Sequence, residues 1–336
     1  MTDTTLPADM NVVEISEPGA PEVLVPGKRP VPEAAPGEVL IKVAYAGVNG
    51  PDLVQRRGHY PPPKGASDLL GLEISGTVVE VGDGVGNWAV GDMVCALTNG
   101  GGYADYCAVD ARHCLPLPHG FNLLEAASVP ETYFTVWSNV FMGAKLSRGE
   151  VFLVHGGAGG LGTTSIQLAK AIGATVVAVD SPAARCKVCS ELGADLTVDF
   201  REQDFVEIMR GEYKGADVIL DIIGGENIAR NIKASKPDGR IVQLAFNKGS
   251  KVEIDLMPVM LKRLTYTGST LRSRTPDNKA EIRDSLALNV WPMFEEGKLK
   301  PVVSKTFRLA EAAAAHAFME SARHSGKIML EVCGDL

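Results

Sequence analysis

The sequence lacks long apolar runs, an excess of basic residues and a dense set of cysteines. No stretch approaches the roughly 18 consecutive apolar residues of a membrane span, and the start, MTDTTLPADM, has neither the basic nor the apolar region of a secretory signal. The chain holds 33 Lys and Arg against 41 Asp and Glu, for a net charge of −8. Because nucleic-acid phosphates are bound by clustered Lys and Arg, we expect no nucleic-acid partner and no membrane attachment.

Six cysteines are spread too thinly for a disulfide scaffold in a chain of 336 residues. Cys186 and Cys189 form a CxxC motif in a short amphipathic helical pattern, and no second CxxC or His partner accompanies it. The motif is compatible with a redox or metal site, but two structural thiols are favoured because a free cysteine packs as a small hydrophobe. This cysteine usage predicts a reducing, cytoplasmic location.

The length predicts about two domains at roughly 150 residues each, and glycine, at 36 of 336 residues, is abundant. Up to about residue 130, short runs with period-2 alternation, such as EVLIKVAYAGVN (38–49), predict an antiparallel barrel or sandwich. From about residue 150, apolar strands alternate with helices, which predicts a parallel, doubly wound sheet and an α/β fold class. The predicted strands are 151–154, 174–179, 196–200, 216–221 and 239–245, with helices to about 172 and over 182–192, 202–210 and 226–235. Residues 275–298 are predicted to be helical, and 304–332 to run strand, helix, strand and return to the first domain.

A glycine loop follows the first strand of the second region. VFLVHGGAGGLG (151–162) places Gly157, Gly159 and Gly162 in GxGxxG spacing, after a strand and at the start of a helix, and Asp180 follows at the end of the second strand. We expect Gly157 to permit the tight turn, Gly159 to let the backbone approach a pyrophosphate, and Gly162 to let the helix pack close to the sheet. A glycine-rich turn without a ligand is the alternative. The predicted dinucleotide contacts are Gly157, Ala158, Gly159, Gly160, Leu161 and Gly162.

Asp180 and Arg185 bear on the choice of cofactor. A carboxylate at the end of the second strand accepts hydrogen bonds from both ribose hydroxyls of NAD and repels a 2′-phosphate. Arg185 could instead pair with that phosphate, or be a solvated helix residue. The residues favour NADH, with NADPH left open.

Taken together, these motifs resemble the zinc-free medium-chain dehydrogenase/reductases, and more closely the zeta-crystallin-like NAD(P)H:quinone oxidoreductases. The stretches that carry the resemblance are AGVNGPDLVQRRGHYPPP (46–63), LLGLEISGTVVEVG (69–82), PETYFTVWSNVF (130–141), the glycine loop, ELGAD (191–195) and LKRLTYTGSTLRSRT (261–275). The resemblance implies a GroES-like β-barrel catalytic domain of residues 1–129, completed by 272–336, and a Rossmann domain of residues 130–271. It also implies homodimers or homotetramers joined through edge strands, for which LTYTGST (264–270) is the candidate.

The resemblance also implies that no metal is bound. Asn49, Leu72 and Glu131 stand where zinc-dependent relatives have their Cys, His and Cys ligands, and a lone Glu cannot hold a site that needs three protein ligands. Relatives that use NADPH often have a small residue at Asp180 and a Tyr where this chain has Phe200, so both departures weaken the usual NADPH preference.

Hydride transfer to a quinone or enone develops negative charge on oxygen, which a fixed donor stabilises. Tyr60 is the best candidate for this donor; alternatively, it is a loop aromatic packed on prolines 61–63. Asn49 is the second candidate; alternatively, it only stabilises a turn. Asp52 is expected to cap a helix rather than act as a base, and His59 and His155 are assigned no catalysis. By resemblance, Thr135 lies beside the nicotinamide, and further cofactor contacts are Phe246, Leu271, Arg274 and Lys327.

The predicted function is therefore a metal-free reductase that uses NADH or NADPH to reduce a small-molecule quinone or enone. One alternative is a 2-enoyl-thioester reductase. Another is a non-catalytic, nucleotide-binding protein of the crystallin type.

Overall fold

The computed structural model describes residues 6–334. It divides into two compact units. The first comprises the described residues up to Phe134, Arg272–Glu295, and the described residues from Pro301 onward; the second comprises Thr135–Leu271 and Glu296–Lys300. Within residues 6–334, no helix combines the length and the apolar character that crossing a bilayer requires.

The described residues form strands in the following chain order: β1 Asp9–Ile15, β2 Leu24–Pro30, β3 Glu38–Val48, β4 Glu73–Val81, β5 Met93–Leu97, β6 Tyr106–Asp110, β7 Cys114–Pro116, β8 Val151–His155, β9 Thr175–Asp180, β10 Leu196–Asp199, β11 Ala216–Asp221, β12 Ser235–Gln243, β13 Thr265–Gly268, β14 Val303–Arg308 and β15 Lys327–Glu331. The α-helices are α1 Gly50–Arg56, α2 Leu123–Ala127, α3 Pro130–Val136, α4 Gly160–Ala171, α5 Ala183–Glu191, α6 Phe205–Glu212, α7 Asn227–Ala234, α8 Met257–Lys262, α9 Pro276–Asn289, α10 Trp291–Glu295 and α11 Ala312–Glu320. A π-helix, Trp137–Gly143, follows α3.

The first unit is built on a sheet with the strand order β14-β15-β3-β4-β5-β7, in which β6 also pairs with β3. The pairings of β3 with β4, β6 and β15 are antiparallel, as are those of β5 with β4 and β7. The antiparallel pairing predicted for this part of the chain is confirmed. Strand β15 lies beside β3, so the C-terminal segment forms part of the same sheet as the N-terminal strands.

The core of the first unit explains why β3 is its central strand. Val39, Ile41 and Val43 on one face are fully buried, and so are Leu40 and Ala44 on the other. Both faces of β3 are therefore covered. The alternating pattern alone predicts one covered face, but apolar residues also stand on the second. A separate two-stranded antiparallel sheet, β1 with β2, was not predicted from the sequence.

The second unit contains a six-stranded parallel sheet with the order β10-β9-β8-β11-β12-β13. The predicted parallel, doubly wound sheet is confirmed, and this is the strand order of a Rossmann fold, which reverses direction between its first and fourth strands. Its central strands β8 and β11 are buried on both faces, so they read as nearly continuous apolar runs. Strand β12 begins at Ser235, four residues earlier than predicted, and helix α8 was not predicted.

Candidate functional site

A glycine loop joins the carboxyl end of β8 to helix α4, at the point where the strand order of the second unit reverses. Its first two amides, of Gly156 and Gly157, donate to the Val179 carbonyl at 2.9 and 3.2 Å, which ties the loop to β9. Gly159 is the N-cap of α4 and donates to the Gly156 carbonyl at 3.0 Å. Open α/β sheets bind ligands at such a switch point, and the amides of a first helical turn suit a phosphate.

The glycines of this loop have distinct tasks. Gly156, with φ at 71°, takes the left-handed conformation, so it and not Gly157 makes the tight turn. A Cβ on Gly157 would lie 2.8 Å from the Cys189 sulfur, and one on Gly162 would lie 2.3 Å from the Gly156 carbonyl oxygen. Both positions therefore need glycine for close packing. A Cβ on Gly159 would meet only the Gly156 carbonyl oxygen, at 3.3 Å, so a ligand can approach the backbone there.

Asp180 is buried at the end of β9 and links the loop to helix α5. Its Oδ2 accepts from the Ala158 amide at 2.8 Å and its Oδ1 from the Ser181 amide at 2.7 Å. Arg185 donates to both oxygens, from Nε to Oδ1 at 2.7 Å and from a terminal nitrogen to Oδ2 at 3.1 Å. The two residues on which cofactor choice was predicted to depend are thus one ion pair, and the charge of Asp180 is balanced by Arg185.

The CxxC cysteines lie on α5, packed behind the glycine loop. Cys189 is fully buried, and burial raises the pKa of its thiol to about 12. The Cys186 thiol donates to the Asp180 carbonyl at 3.6 Å. Both cysteines are free thiols, so the geometry supports the structural interpretation of this motif.

A buried polar chain occupies the ends of β8 and β11. Asn231 on α7 donates to the Asp221 carboxylate at 2.8 Å, so its amide oxygen is left to accept from Nε2 of His155, also at 2.8 Å. Burial lowers the pKa of His155, which is consistent with a neutral ring carrying its proton on Nε2. The sequence shows no partner for His155, because Asn231 is distant along the chain and is brought near only by the parallel sheet.

A second cluster, formed by Asn49, Glu73 and Lys327, lies in the first unit. The Lys327 ammonium is 2.5 Å from Glu73 Oε1 and also donates to the Asn49 amide oxygen. Asn49 Nδ2 donates to the same Glu73 oxygen at 3.0 Å, and the Glu131 amide donates to the other at 2.8 Å. The Glu73 side chain is fully buried and that of Lys327 is 6 % exposed. Gly47 makes room for this cluster, since a Cβ there would lie 2.0 Å from Glu73 Oε1.

Glu73 is a site residue that the sequence reasoning missed. Its signal was weak: a carboxylate at the start of the strand EISGTVVEV (73–81), which also contains Ser75, Thr77 and Glu80. A charged residue in such a strand needs a partner when buried. Its partner Lys327 could not be identified, because the two residues come from distant parts of the chain.

The residues that stand where zinc-dependent relatives have their ligands do not fit a zinc ion. In the described part of the chain, no group of three or more His, Cys, Asp or Glu side chains is placed to hold a metal. Asn49 is engaged by Lys327 and Glu73, and Leu72 offers no ligand atom. The cluster already contains a buried cation, Lys327, beside its carboxylate.

Asp52 lies in the first turn of helix α1, and Tyr60 follows the end of that helix by four residues. Asp52, fully buried, accepts from the Asn49 backbone amide at 2.8 Å and from the Gly71 amide at 3.0 Å. It acts in capping as predicted, but as the third residue of a capping box whose N-cap is Asn49. Its burial raises its pKa to about 6. Tyr60 is partly buried, with the Arg272 guanidinium 5.6 Å from its ring centre, so it packs on a cation as well as beside prolines.

The remaining predicted site residues differ in exposure. Thr135 and Leu271 are buried, and the Thr135 carbonyl accepts from Asn139 Nδ2 at 2.8 Å. Phe246 is 46 % exposed, and Arg274 contacts Asn278 at 3.2 Å. Their predicted contacts with a nicotinamide stay predictions.

Comparison with known proteins agrees with this fold and these motifs. Residues 35–119 match the alcohol dehydrogenase GroES-like domain, and residues 160–288 match the zinc-binding dehydrogenase domain. The quinone oxidoreductase of Rattus norvegicus is 30 % identical over 326 residues, covering 96 % of this chain and 97 % of its own length. Together, the fold and these matches define a medium-chain dehydrogenase/reductase.

Two solved structures are also similar. The quinone oxidoreductase of Escherichia coli, complexed with NADPH, has a TM-score of 0.86 and 26 % identity, covering 96 % of this chain and 99 % of its own. The CurK enoyl reductase has a TM-score of 0.85 and 27 % identity, covering 97 % and 100 %. Within its class, this chain therefore belongs to the quinone oxidoreductase family, as its sequence motifs predicted.

Proposed function

We propose that this protein is a metal-free, NAD(P)H-dependent reductase of quinones and related α,β-unsaturated carbonyls. The observation that carries the proposal is the glycine loop at the switch point of the Rossmann sheet, closed on one side by the buried Asp180. The similarity to quinone oxidoreductases over nearly the full chain supports the substrate class. The misfit of Asn49 and Leu72 to a zinc ion supports metal independence. The free, buried thiols suit a reducing location such as the cytoplasm.

The loop residues 157–162 and Asp180 would hold the nucleotide. When bound, it supplies a hydride to the acceptor. The first turn of α4 offers amides to the diphosphate, and Asp180 offers carboxylate oxygens to the adenosine ribose. Asp180 accepts hydrogen bonds from ribose hydroxyls, as NADH requires, and Arg185, which already balances the charge of Asp180, is a partner for the 2′-phosphate of NADPH. We therefore propose that both NADH and NADPH are used, with a preference below about tenfold.

Tyr60 would donate a hydrogen bond to the acceptor oxygen as negative charge develops there. Asn49 would add a second donor from Nδ2, which in the structure donates to Glu73 Oε1 at 3.0 Å and weakly to the Gly47 carbonyl at 3.5 Å. Thr135, Phe246, Leu271, Arg274 and Lys327 would surround the nicotinamide half of the cofactor, as the family resemblance implies.

The proposal is tested by following NADH and NADPH oxidation with benzoquinones, naphthoquinones and simple enones. We expect acceptor-dependent oxidation, and we expect Tyr60→Phe to lower kcat/KM by about tenfold or more, in the range of a lost acid or oxyanion donor. Tyr106→Phe, on strand β6, is the matched control and should be unchanged. A wild-type protein that oxidises neither nucleotide with any acceptor would refute the reductase and favour the non-catalytic alternative.

A 2-enoyl-thioester reductase is the second candidate, favoured by the similarity to the CurK enoyl reductase. Crotonyl-CoA in the same assay separates the two. A kcat/KM for crotonyl-CoA above that for every quinone would assign the enoyl-thioester activity instead.

We also propose that two copies of the chain associate through β13. This strand ends the Rossmann sheet, and all four of its residues are exposed. The neighbouring helix α8 and its N-cap residue expose four large apolar side chains at 56–66 % each, Leu256, Met257, Met260 and Leu261. An open strand edge beside an apolar patch is a self-association surface. Light scattering should show a dimer or tetramer, and Met260→Glu should shift it toward monomer; a monomeric wild type would refute the proposal.

A further inference from the structure

Two basic side chains, Arg272 and Lys279, are buried side by side in the first unit, and their roles are not explained by the reductase as described. Arg272 is 6 % exposed and Lys279 is 1 % exposed. In the part of the chain that the structure describes, neither forms an ion pair with a carboxylate within 4 Å. Buried charges without such a partner are costly, so they are rarely present without a function.

Both cations are held by neutral oxygens around Asn99. Arg272 donates to the Asn99 carbonyl from Nε at 2.9 Å and from a terminal nitrogen at 2.6 Å, and its other terminal nitrogen donates to Gln55 Oε1 at 2.6 Å. Lys279 donates to the Asn99 side-chain oxygen at 2.6 Å and to the Arg272 carbonyl at 2.9 Å. Neutral acceptors fix the two cations in place but leave their positive charge uncompensated.

The surrounding electrostatics are consistent with a surplus of positive charge. Burial lowers the pKa of Arg272, and burial together with the neighbouring Arg272 lowers that of Lys279 to about 8. Asp52 raises the pKa of Arg272 and Asp110 raises that of Lys279, but neither carboxylate forms an ion pair with its cation. A further negative charge near the guanidinium would therefore be stabilised.

Tyr60 is the group placed to carry that charge. The Arg272 guanidinium lies 5.6 Å from the centre of the Tyr60 ring. Burial, with a smaller contribution from Glu131, holds the pKa of the Tyr60 phenol above its usual value, and Arg272 offsets part of that rise. A cation facing an aromatic ring attracts its electron density, and attracts a phenolate more strongly than a phenol.

We propose that Arg272, supported by Lys279, is a positioning residue that makes Tyr60 a proton donor by stabilising its phenolate. The inference rests on the proposed function, and it assigns a substrate class: acceptors that become oxyanions on accepting a hydride. In the step, the hydride adds to a carbon of the quinone or enone, the carbonyl electrons move to oxygen, and that oxyanion takes the Tyr60 proton. The phenolate beside Arg272 then regains a proton from water.

The test is a double-mutant cycle between Tyr60→Phe and Arg272→Gln, with Arg272→Lys as the conservative variant. We expect Arg272→Gln to lower kcat about tenfold or more with an unchanged KM for the nucleotide, in the range of general-acid catalysis. Arg272→Lys should restore part of the rate. In the Tyr60→Phe background, Arg272→Gln should have no further effect, because the two residues act through the same proton. Equal losses in both backgrounds would overturn the inference while leaving the reductase intact.

A second measurement does not need activity. In protein labelled with ¹³C at the tyrosine ζ carbon, the Tyr60 signal is assigned by its loss in Tyr60→Phe, and its titration reports the phenol pKa. Arg272→Gln should raise that pKa, and an unchanged titration would overturn the inference. If Arg272→Gln does not fold, Lys279→Met takes its place in both measurements, with a smaller rise expected and no rise overturning the inference. A wild type that reduces no acceptor would instead refute the proposed function, whatever the titration shows.

Discussion

Removing one member of the buried pair Glu73 and Lys327 should destabilise the first unit strongly. Lys327→Met leaves the Glu73 carboxylate fully buried, with only the Asn49 Nδ2 and Glu131 amide hydrogen bonds remaining. Glu73→Gln leaves one acceptor oxygen and places an NH2 group, itself a donor, against either the Lys327 ammonium or the Glu131 backbone amide. Breaking a buried pair from one side costs about 3–5 kcal/mol, and we expect each single substitution to fall in that range.

The double substitution Glu73→Gln with Lys327→Met should cost less than the sum of the two single ones. It leaves no buried net charge, so the coupling free energy should reach about 2–3 kcal/mol, near the upper limit for neighbouring residues. Urea unfolding of the four proteins, followed by circular dichroism and tryptophan fluorescence, measures the cycle, and agreement of the two probes establishes that the transitions are comparable. Additive losses would show that the ion pair does not exist in solution, and the description of this cluster would be wrong.

Three further predictions concern acid stability, cofactor choice and loop packing. His316 is fully buried, its pKa is lowered to about 3 by burial and by Arg56, and its unfolded value is 6.5. Its stabilising effect is therefore complete above pH 6.5 and is lost as the pH falls toward 3. From pH 6 to 4, the unfolding free energy of His316→Gln should fall less steeply than that of the wild type, with slopes that differ by about 1.4 kcal/mol per pH unit. Parallel slopes in urea titrations would contradict this prediction. Asp180→Ser should release Arg185 and raise the NADPH-to-NADH ratio of kcat/KM about tenfold, and a wild type that already prefers NADPH tenfold would refute the interpretation of Asp180. Gly162→Ala should lower the free energy of unfolding by about 1–3 kcal/mol and weaken nucleotide binding in a fluorescence titration. Both effects are expected because the new Cβ would meet backbone carbonyl oxygens that cannot move aside. Unchanged binding would exclude a tightly packed loop.

The Rossmann unit was largely predictable from the sequence. Strand β8, the glycine loop and Asp180 follow one another along the chain, so local spacing alone places them. The strands are separated by helices of ordinary length, which fixes a parallel sheet. The element ends were less predictable, as at β12, because its first residue, Ser235, is held by pairing with Ala216 of β11 rather than by an apolar pattern.

The candidate site in the first unit was less predictable, because its partners are distant in sequence. Asn49, Tyr60 and Lys327 could be named from their motifs, but Glu73 and Arg272 could not. The sheet and the return of the C-terminal segment bring these residues together. The sequence also could not show that Arg185 pairs with Asp180, since a salt bridge depends on side-chain direction and not on spacing alone. Long-range polar contacts of this kind leave no local signature.

The central claim is that a nicotinamide nucleotide binds at the glycine loop between β8 and α4. A crystal structure of the protein grown with NADPH, and a second grown with NADH, test it most directly. We predict a diphosphate on the backbone amides of the first turn of α4, with the adenosine ribose directed toward Asp180. A loop that stays empty in both crystals, or a nucleotide bound elsewhere on the chain, would contradict the account.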